Sequence, residues 1–351
     1  MRLLNSYFFI WVSILLSLLL AGFYGLDIDS NSKIGFLNAL ANWDGGHFLK
    51  IAELGYSEDK LYAFFPLYPL VIKVVNLLIG NYLLSALLVN LLSTYTLIYV
   101  FYKFILISFN KQVALKALSF FLLFPASFFL ITVYSESLFI LFTLLTFYLS
   151  RQKRLGWATF FCVLAAVTRP VGIAVILGFL VDIYQRYGFG GKNWYVFLSP
   201  AGLLIYCLFL YLQTGNPFYF LFAEQTYWQR ELTNPLEGFL SAILSLVTYG
   251  ITSQDYYILV DLLLAIFGVG MVLRSFRFLP LSYSVYALLS VIIPLFTPTL
   301  KSMPRFLLPV FPIFILLALT KNKVAVYIYS LVSAVLLLTL SILFINGYWV
   351  G

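Results

Sequence analysis

The sequence predicts an all-α, polytopic membrane protein, and three observations carry that prediction. Of the 351 residues, 63% are hydrophobic and only 10% are charged, whereas about 25% are charged in an ordinary soluble domain. Apolar runs long enough to cross a hydrocarbon core as helices recur from end to end. Basic residues fall between those runs in twos and threes. That dispersal reflects membrane topology and excludes a nucleic-acid patch as the source of the +8 charge.

The first run, Leu3 to Tyr24 behind Arg2, is longer than the apolar core of a secretory signal and lacks a small-x-small cleavage site. It is expected to be an uncleaved first helix. Basic clusters follow at Lys103/Lys111/Lys116, Arg151/Lys153/Arg154, Arg186/Lys192, Arg274/Arg277 and Lys321/Lys323. Placing all of them with Arg2 on the cytoplasmic side gives spans at 6–25, 82–102, 117–132, 135–150, 155–168, 170–185, 194–214, 256–273, 280–297, 304–320 and 324–345. That is roughly eleven crossings, with the N-terminus inside and the C-terminus outside. Several are short, which suits helices tucked among other helices better than helices facing lipid.

Residues 64–79 would break this scheme as a span, so an interfacial helix with Lys73 on its polar side is expected there, and another near 238–250. The whole chain, 1–351, then forms one membrane domain with two external segments, 26–80 and 215–255. Up to Tyr62 the first carries Asp27, Asp29, Asp44, Glu53, Glu58 and Asp59 against Lys33, Lys50 and Lys60. The second carries Glu224, Glu231, Glu237 and Asp255 against Arg230. Acidic outside and basic inside is self-consistent. Cys162 and Cys207 both fall in apolar runs and the chain has one histidine, so neither a disulfide framework nor a metal centre is expected. No cofactor is called for.

The polar stretch Asn42-Trp43-Asp44-Gly45-Gly46-His47-Phe48 places an acid and the imidazole three residues apart. Gly45 and Gly46 would let the backbone turn tightly beside Asp44 and admit a ligand closely. An Asp beside a low-dielectric boundary can act as a general base. The plainer alternative is a helix cap by Asn42 or Asp44, with Trp43 as an aromatic-belt anchor.

The order of several short motifs resembles the glycosylphosphatidylinositol mannosyltransferase II family and its prokaryotic relatives, within the GT-C class of integral-membrane glycosyltransferases. These are Trp43-Asp44-Gly45-x-His47-Phe48 with Ile51-Ala52-x-x-Gly55-Tyr56, Phe64-Phe65-Pro66-Leu67-Tyr68-Pro69, Phe124-Pro125-Ala126-Ser127-x-Phe129, Tyr134-Ser135-Glu136-Ser137, Thr168-Arg169-Pro170-x-Gly172 and Pro304-Arg305-Phe306. The resemblance implies a GT-C-like bundle and a polyprenyl-phosphate-linked sugar donor used on the non-cytoplasmic face. It further implies that Asp44 accepts or orients the acceptor hydroxyl's proton, with inversion at the anomeric carbon and release of the lipid phosphate. The sugar is expected to be mannose or a similar hexose, and the acceptor a lipid or a glycan. This chain lacks the additional loop length of the eukaryotic members, so the family name does not fix the acceptor.

A phosphate leaving group calls for fixed positive charge. Arg305, Arg169 and Lys301 at outer hairpins, with His47, are the candidates for it. The plainer readings are snorkelling to lipid phosphates, pairing of an arginine with Glu136, and a loop-packing histidine. Trp43, Glu136, Tyr68 and Trp228 are the candidates for sugar or acceptor contact, although Glu136 would equally cap the following helix and aromatic side chains would equally anchor at an interface. Asp182 reads as structural, and Asp261 matches no motif. Two other functions remain open at this stage: a flippase or carrier of a lipid-linked sugar, for which no internal repeat is found, and a non-catalytic membrane subunit. A prokaryotic plasma membrane is the expected location, or the endoplasmic reticulum for a eukaryotic chain.

Overall fold

The computed structural model describes residues 2–25, 35–250 and 256–350. Asp27, Asp29, Lys33 and Asp255 lie outside the described residues. Every regular element described is helical, as the composition requires: backbone polar groups in hydrocarbon must be satisfied within the segment that carries them. The chain enters through α1 (Arg2–Gly25), the short α2 (Phe36–Ala39), α3 (Asp44–Leu54) and α4 (Leu67–Ile79). There follow α5 (Tyr82–Leu106), α6 (Lys111–Leu122), α7 (Glu136–Arg151), α8 (Leu155–Ala166), α9 (Gly172–Tyr187) and α10 (Ala201–Thr214). The remainder comprises α11 (Tyr219–Trp228), α12 (Glu237–Tyr249), α13 (Tyr256–Phe278), α14 (Leu281–Leu295), α15 (Met303–Leu307), α16 (Phe311–Ala318) and α17 (Lys323–Ile345).

Most expected spans have their helix, and the segments expected at the interface are α4 and α12. Two spans are corrected: 117–132 keeps only the end of α6 before the chain turns irregular around Pro125, and 304–320 is divided at Pro309 into α15 and α16, since proline cannot continue a helix. Lengths divide the helices. By length and composition α1, α5, Tyr257–Phe278 of α13 and α17 can each cross a membrane, and a 3₁₀ helix at Gly191–Leu198 joined to α10 at a 41° bend makes a broken fifth. The others are shorter, and α7, α9 and α16 are largely buried among their neighbours, where a short helix costs least.

The irregular stretch 123–135 between α6 and α7 shows how such a fold is made safe. It contains a 3₁₀ turn at Ser127–Leu130 and is buried, so its carbonyls need donors. Asn90 and Thr94 of α5, one turn apart on one face, supply them. Asn90 Nδ2 donates to Thr132 O and to Tyr134 O (3.0 Å), and Thr94 Oγ1 to Leu130 O (2.7 Å). Trp11 Nε1 reaches Leu122 O at 2.8 Å. Polar side chains in apolar helices thus fix the loop that leads into Glu136.

The turn between α8 and α9 is as tight. A Cβ on Gly172 would lie 2.5 Å from Ala166 Cα, so only glycine lets α9 start against the end of α8 and leave Arg169 at the tip. Gly172→Ala is expected to lower the thermal midpoint in detergent, since overpacking of this kind costs about 1–3 kcal/mol. An unchanged midpoint would mean that α9 can slide.

Opposite the Glu136 end of α7, about 22 Å away by helical rise, Asp182 is buried and held by Ser150 Oγ (2.6 Å), Ser282 Oγ (3.0 Å) and Arg186 Nε (2.9 Å). Its contacts tie α7, α9 and α14 together, the structural role expected of it.

Candidate active site

Asp44 opens α3, in the first turn, where the helix dipole favours a carboxylate. The backbone reaches it by an unexpected route. Trp43, not a glycine, takes the left-handed step, at φ 59°. Gly45 serves close packing instead: a Cβ there would meet Val133 O at 3.1 Å, while one at Gly46 would make only ordinary contact, 3.8 Å from Ala41 O. The expectation that both glycines supply a tight turn is corrected accordingly. The capping alternative fails too, because the helix has no side-chain cap. Asn42 Nδ2 instead donates to Phe344 O at 2.9 Å, and Trp43 Nε1 to Tyr348 O at 3.2 Å.

Three ionisable side chains from distant parts of the chain meet beside Asp44. Arg305 Nη1 contacts Asp44 Oδ2 at 2.7 Å and Arg305 Nε contacts Glu136 Oε1 at 2.8 Å. Arg169 Nη1 pairs with the same Glu136 oxygen. Glu136 is wholly buried, Arg169 and Arg305 are each 7% exposed and Asp44 is 9% exposed. The Arg305 guanidinium also lies over Tyr134 (4.7 Å to the ring centroid) and Phe129 (5.3 Å), and Tyr134 Oη donates to Asn42 O at 3.0 Å. The three motifs around Phe129, Tyr134 and Glu136 therefore form one floor on which Arg305 is seated. A planar fork of fixed donors bridges two carboxylates in a set orientation, which the point charge of a lysine does not impose.

Asp44, Arg169 and Arg305 line a cavity of about 760 Å³, together with Thr168, Ser135, Glu224, Trp228 and Arg230. Much of the remaining wall is apolar and includes Phe64, Phe65, Phe218, Phe220, Leu221, Phe222, Phe306 and Trp349. Glu136 stands beneath the two arginines as their shared counter-ion, and not among the lining residues. Trp228 is on the wall. Tyr68 is fully buried, its ring edge-on to Phe48, and Trp43 packs its ring against Trp349. Lys301 is exposed and lines a separate cavity of about 170 Å³.

His47, one turn along α3 from Asp44, has its ring against Phe64 (5.1 Å) and edge-on to Trp228 (6.0 Å). Burial lowers its pKa below 6.5, outweighing the opposing charge of Asp44. The folded protein therefore binds that proton less readily than the unfolded chain. Stability present above pH 6.5 is lost as the pH falls through the lowered value. The thermal midpoint of the wild type is expected to drop on acidification through this window, and that part of the drop should be absent from His47→Gln; identical profiles would refute the assignment.

Sequence reasoning passed over Arg230 and Trp349. Arg230 Nη2 donates to Lys301 O (3.1 Å) and Ser302 Oγ (3.3 Å), and its guanidinium lies over Phe306 at 4.8 Å. Burial pushes the half-buried Glu224 carboxyl up from its ordinary range, against the pull of Arg230. The isolated arginine in an acidic segment was the available signal.

Residues 12–189 match the family model described as Mannosyltransferase (PIG-V), a stretch that holds Asp44, Glu136 and Arg169 but not Arg305. Similar proteins that carry the name GPI alpha-1,6-mannosyltransferase 2 include three from mammals. The Mus musculus protein is 35% identical over 164 residues, 43% of this chain and 33% of its own. The Homo sapiens protein is 31% identical over 196 residues, covering 52% and 40%. The Cricetulus griseus protein is 32% identical over 209 residues, covering 56% and 42%. The matched stretch thus spans less than half of each relative's length.

Proposed function

This multi-pass membrane chain belongs to the mannosyltransferase (PIG-V) family, and from that premise we propose that it transfers mannose from a polyprenyl-phosphate-linked donor to a lipid or glycan acceptor. The observation that carries the reading is an acid and two anchored arginines on the wall of one cavity whose remaining wall is largely apolar. Arg305 grips Oδ2 of Asp44 and keeps that carboxylate oriented. Asp44 Oδ1 takes the proton of the acceptor hydroxyl as its oxygen attacks the anomeric carbon. The bond from that carbon to the phosphate oxygen breaks, its electron pair leaves with the lipid phosphate, and the sugar is inverted. Arg169 and Arg305 face the phosphate as its charge grows, held in advance by Glu136, so little reorganisation is needed during the reaction. The phenylalanine-rich wall accepts the first isoprene units, and Trp228 offers a flat face to the sugar.

The basic end of α7 and α9, with Arg151, Lys153, Arg154 and Arg186, lies opposite this cluster, which supports a site on the non-cytoplasmic face. The prokaryotic plasma membrane is our proposed location.

The test uses purified protein, radiolabelled polyprenyl-phosphate-mannose and a total lipid extract. A labelled acceptor lipid is the expected product. Labelled donor that crosses a liposome bilayer unaltered, with no transfer, would overturn the proposal in favour of a carrier.

A further inference from the structure

α15, which carries Arg305, is five residues long and receives no side-chain cap from its own N-cap residue, Ser302. Ser302 has φ 76°, a left-handed conformation that a residue other than glycine keeps only when its surroundings hold it there. Two side chains from other parts of the chain do so. Arg230 grips the turn through Lys301 O and Ser302 Oγ. Asp261 of α13, 5% exposed, accepts the Met303 N–H at 3.0 Å through Oδ1. A carboxylate on the first amides of a helix is what an N-cap supplies; this one comes from 42 residues away.

The packing of α13 is built around the same contact. Gly268 lies two turns on from Asp261, on the same face, and a Cβ there would meet Leu307 Cδ2 at 2.6 Å. The helix therefore approaches both ends of α15 closely, with an acid at one and a glycine at the other. An acidic residue within a helix long and apolar enough to span a membrane is costly, which makes it a candidate for a role. Asp261 is not among the residues that line the main cavity.

We propose that Asp261 is a positioning residue, a helix cap supplied in trans that fixes Arg305 against Asp44 and Glu136. The inference rests on the reading of the cavity as a transferase site. Asp261→Asn keeps an acceptor oxygen for Met303 N–H, whereas Asp261→Ala removes it. Asp261→Ala is expected to speed hydrogen exchange of the Met303 amide and to lower kcat roughly 10- to 100-fold, the scale of a small misplacement at a reacting centre, and Asp261→Asn to restore most of both.

A double-mutant cycle with Arg305→Lys separates this from plain destabilisation. If Asp261 acts through Arg305, its alanine variant causes little further loss in the Arg305→Lys background, in transfer rate and in thermal midpoint alike. Additive losses, or an unchanged Met303 exchange rate in Asp261→Ala, would overturn the proposal. The exchange and midpoint arms need no substrate, so a wild type that transfers nothing would count against the proposed reaction and leave the fate of Asp261 to those two readings.

Discussion

Asp44→Asn is expected to lower mannose transfer by about 10²–10⁴-fold, the range that a positioned general base contributes, while donor binding and the thermal midpoint stay close to wild type. The substitution is nearly isosteric, and its amide oxygen can still accept from Arg305 Nη1, now at 2.7 Å from Asp44 Oδ2. Arg305 would also keep its contact with Glu136, so the floor of the site should remain assembled. What the amide cannot do is take a proton from the acceptor hydroxyl. Rates measured with radiolabelled donor, alongside a donor-binding assay and a melt in detergent, separate these effects. Equal rates for the two proteins would remove Asp44 from the chemistry.

Glu136→Ala is expected to damage the fold as well as the reaction. Glu136 is the partner of both Arg169 and Arg305, all three nearly or wholly buried. Without it two guanidinium groups would face each other with Asp44 and, on the cavity wall, Glu224 as nearby acids. Removing one partner from a buried ionic pair costs about 3–5 kcal/mol, so a lower thermal midpoint, poor yield in detergent and loss of transfer should appear together. Glu136→Gln keeps a hydrogen-bond acceptor without the charge and should fall between. A Glu136→Ala protein with the wild-type midpoint and rate would show that the arginines find other partners and that the buried cluster is dispensable.

Much of the fold was legible in the sequence because apolar length and the spacing of basic residues report on the bilayer directly. The order of spans, the two interfacial segments and the acid at position 44 follow from that reading. Arg169 and Arg305 were legible as cations out of place among apolar runs. Their arrangement was not. An arginine paired with Glu136 was among the readings weighed, beside a sugar ligand and a helix cap; that Arg169 and Arg305 share this one acid, the latter across 169 residues, is what no local pattern encodes. Tyr68 sits in the proline-flanked motif that opens the helix expected at 64–79, where it was a candidate for sugar contact, yet it turns into the core. Proline in a first helical turn loses no hydrogen bond, so the motif is compatible with that helix and does not tell which way its tyrosine faces. Arg230 was hidden for the opposite reason: a single arginine among acids looks like an ordinary surface charge.

The anchoring of the Asp44 turn to the far end of the chain bears on how the molecule is made. Asn42 binds Phe344 O across 302 residues, Asn346 Nδ2 donates to Gly22 O at 3.0 Å, and Trp349 forms part of the cavity wall. Closing so long a loop adds little entropy beyond that of a shorter one, about 0.6 kcal/mol for each doubling, so the arrangement is thermodynamically inexpensive. Its effect lies in timing. Synthesis runs from the N-terminus, so α1 and the Asp44 turn emerge long before the residues that fasten them. A nascent chain can insert its early helices and fold their buried contacts while this wall is still absent, and the cavity is complete only when the segment after α17 arrives.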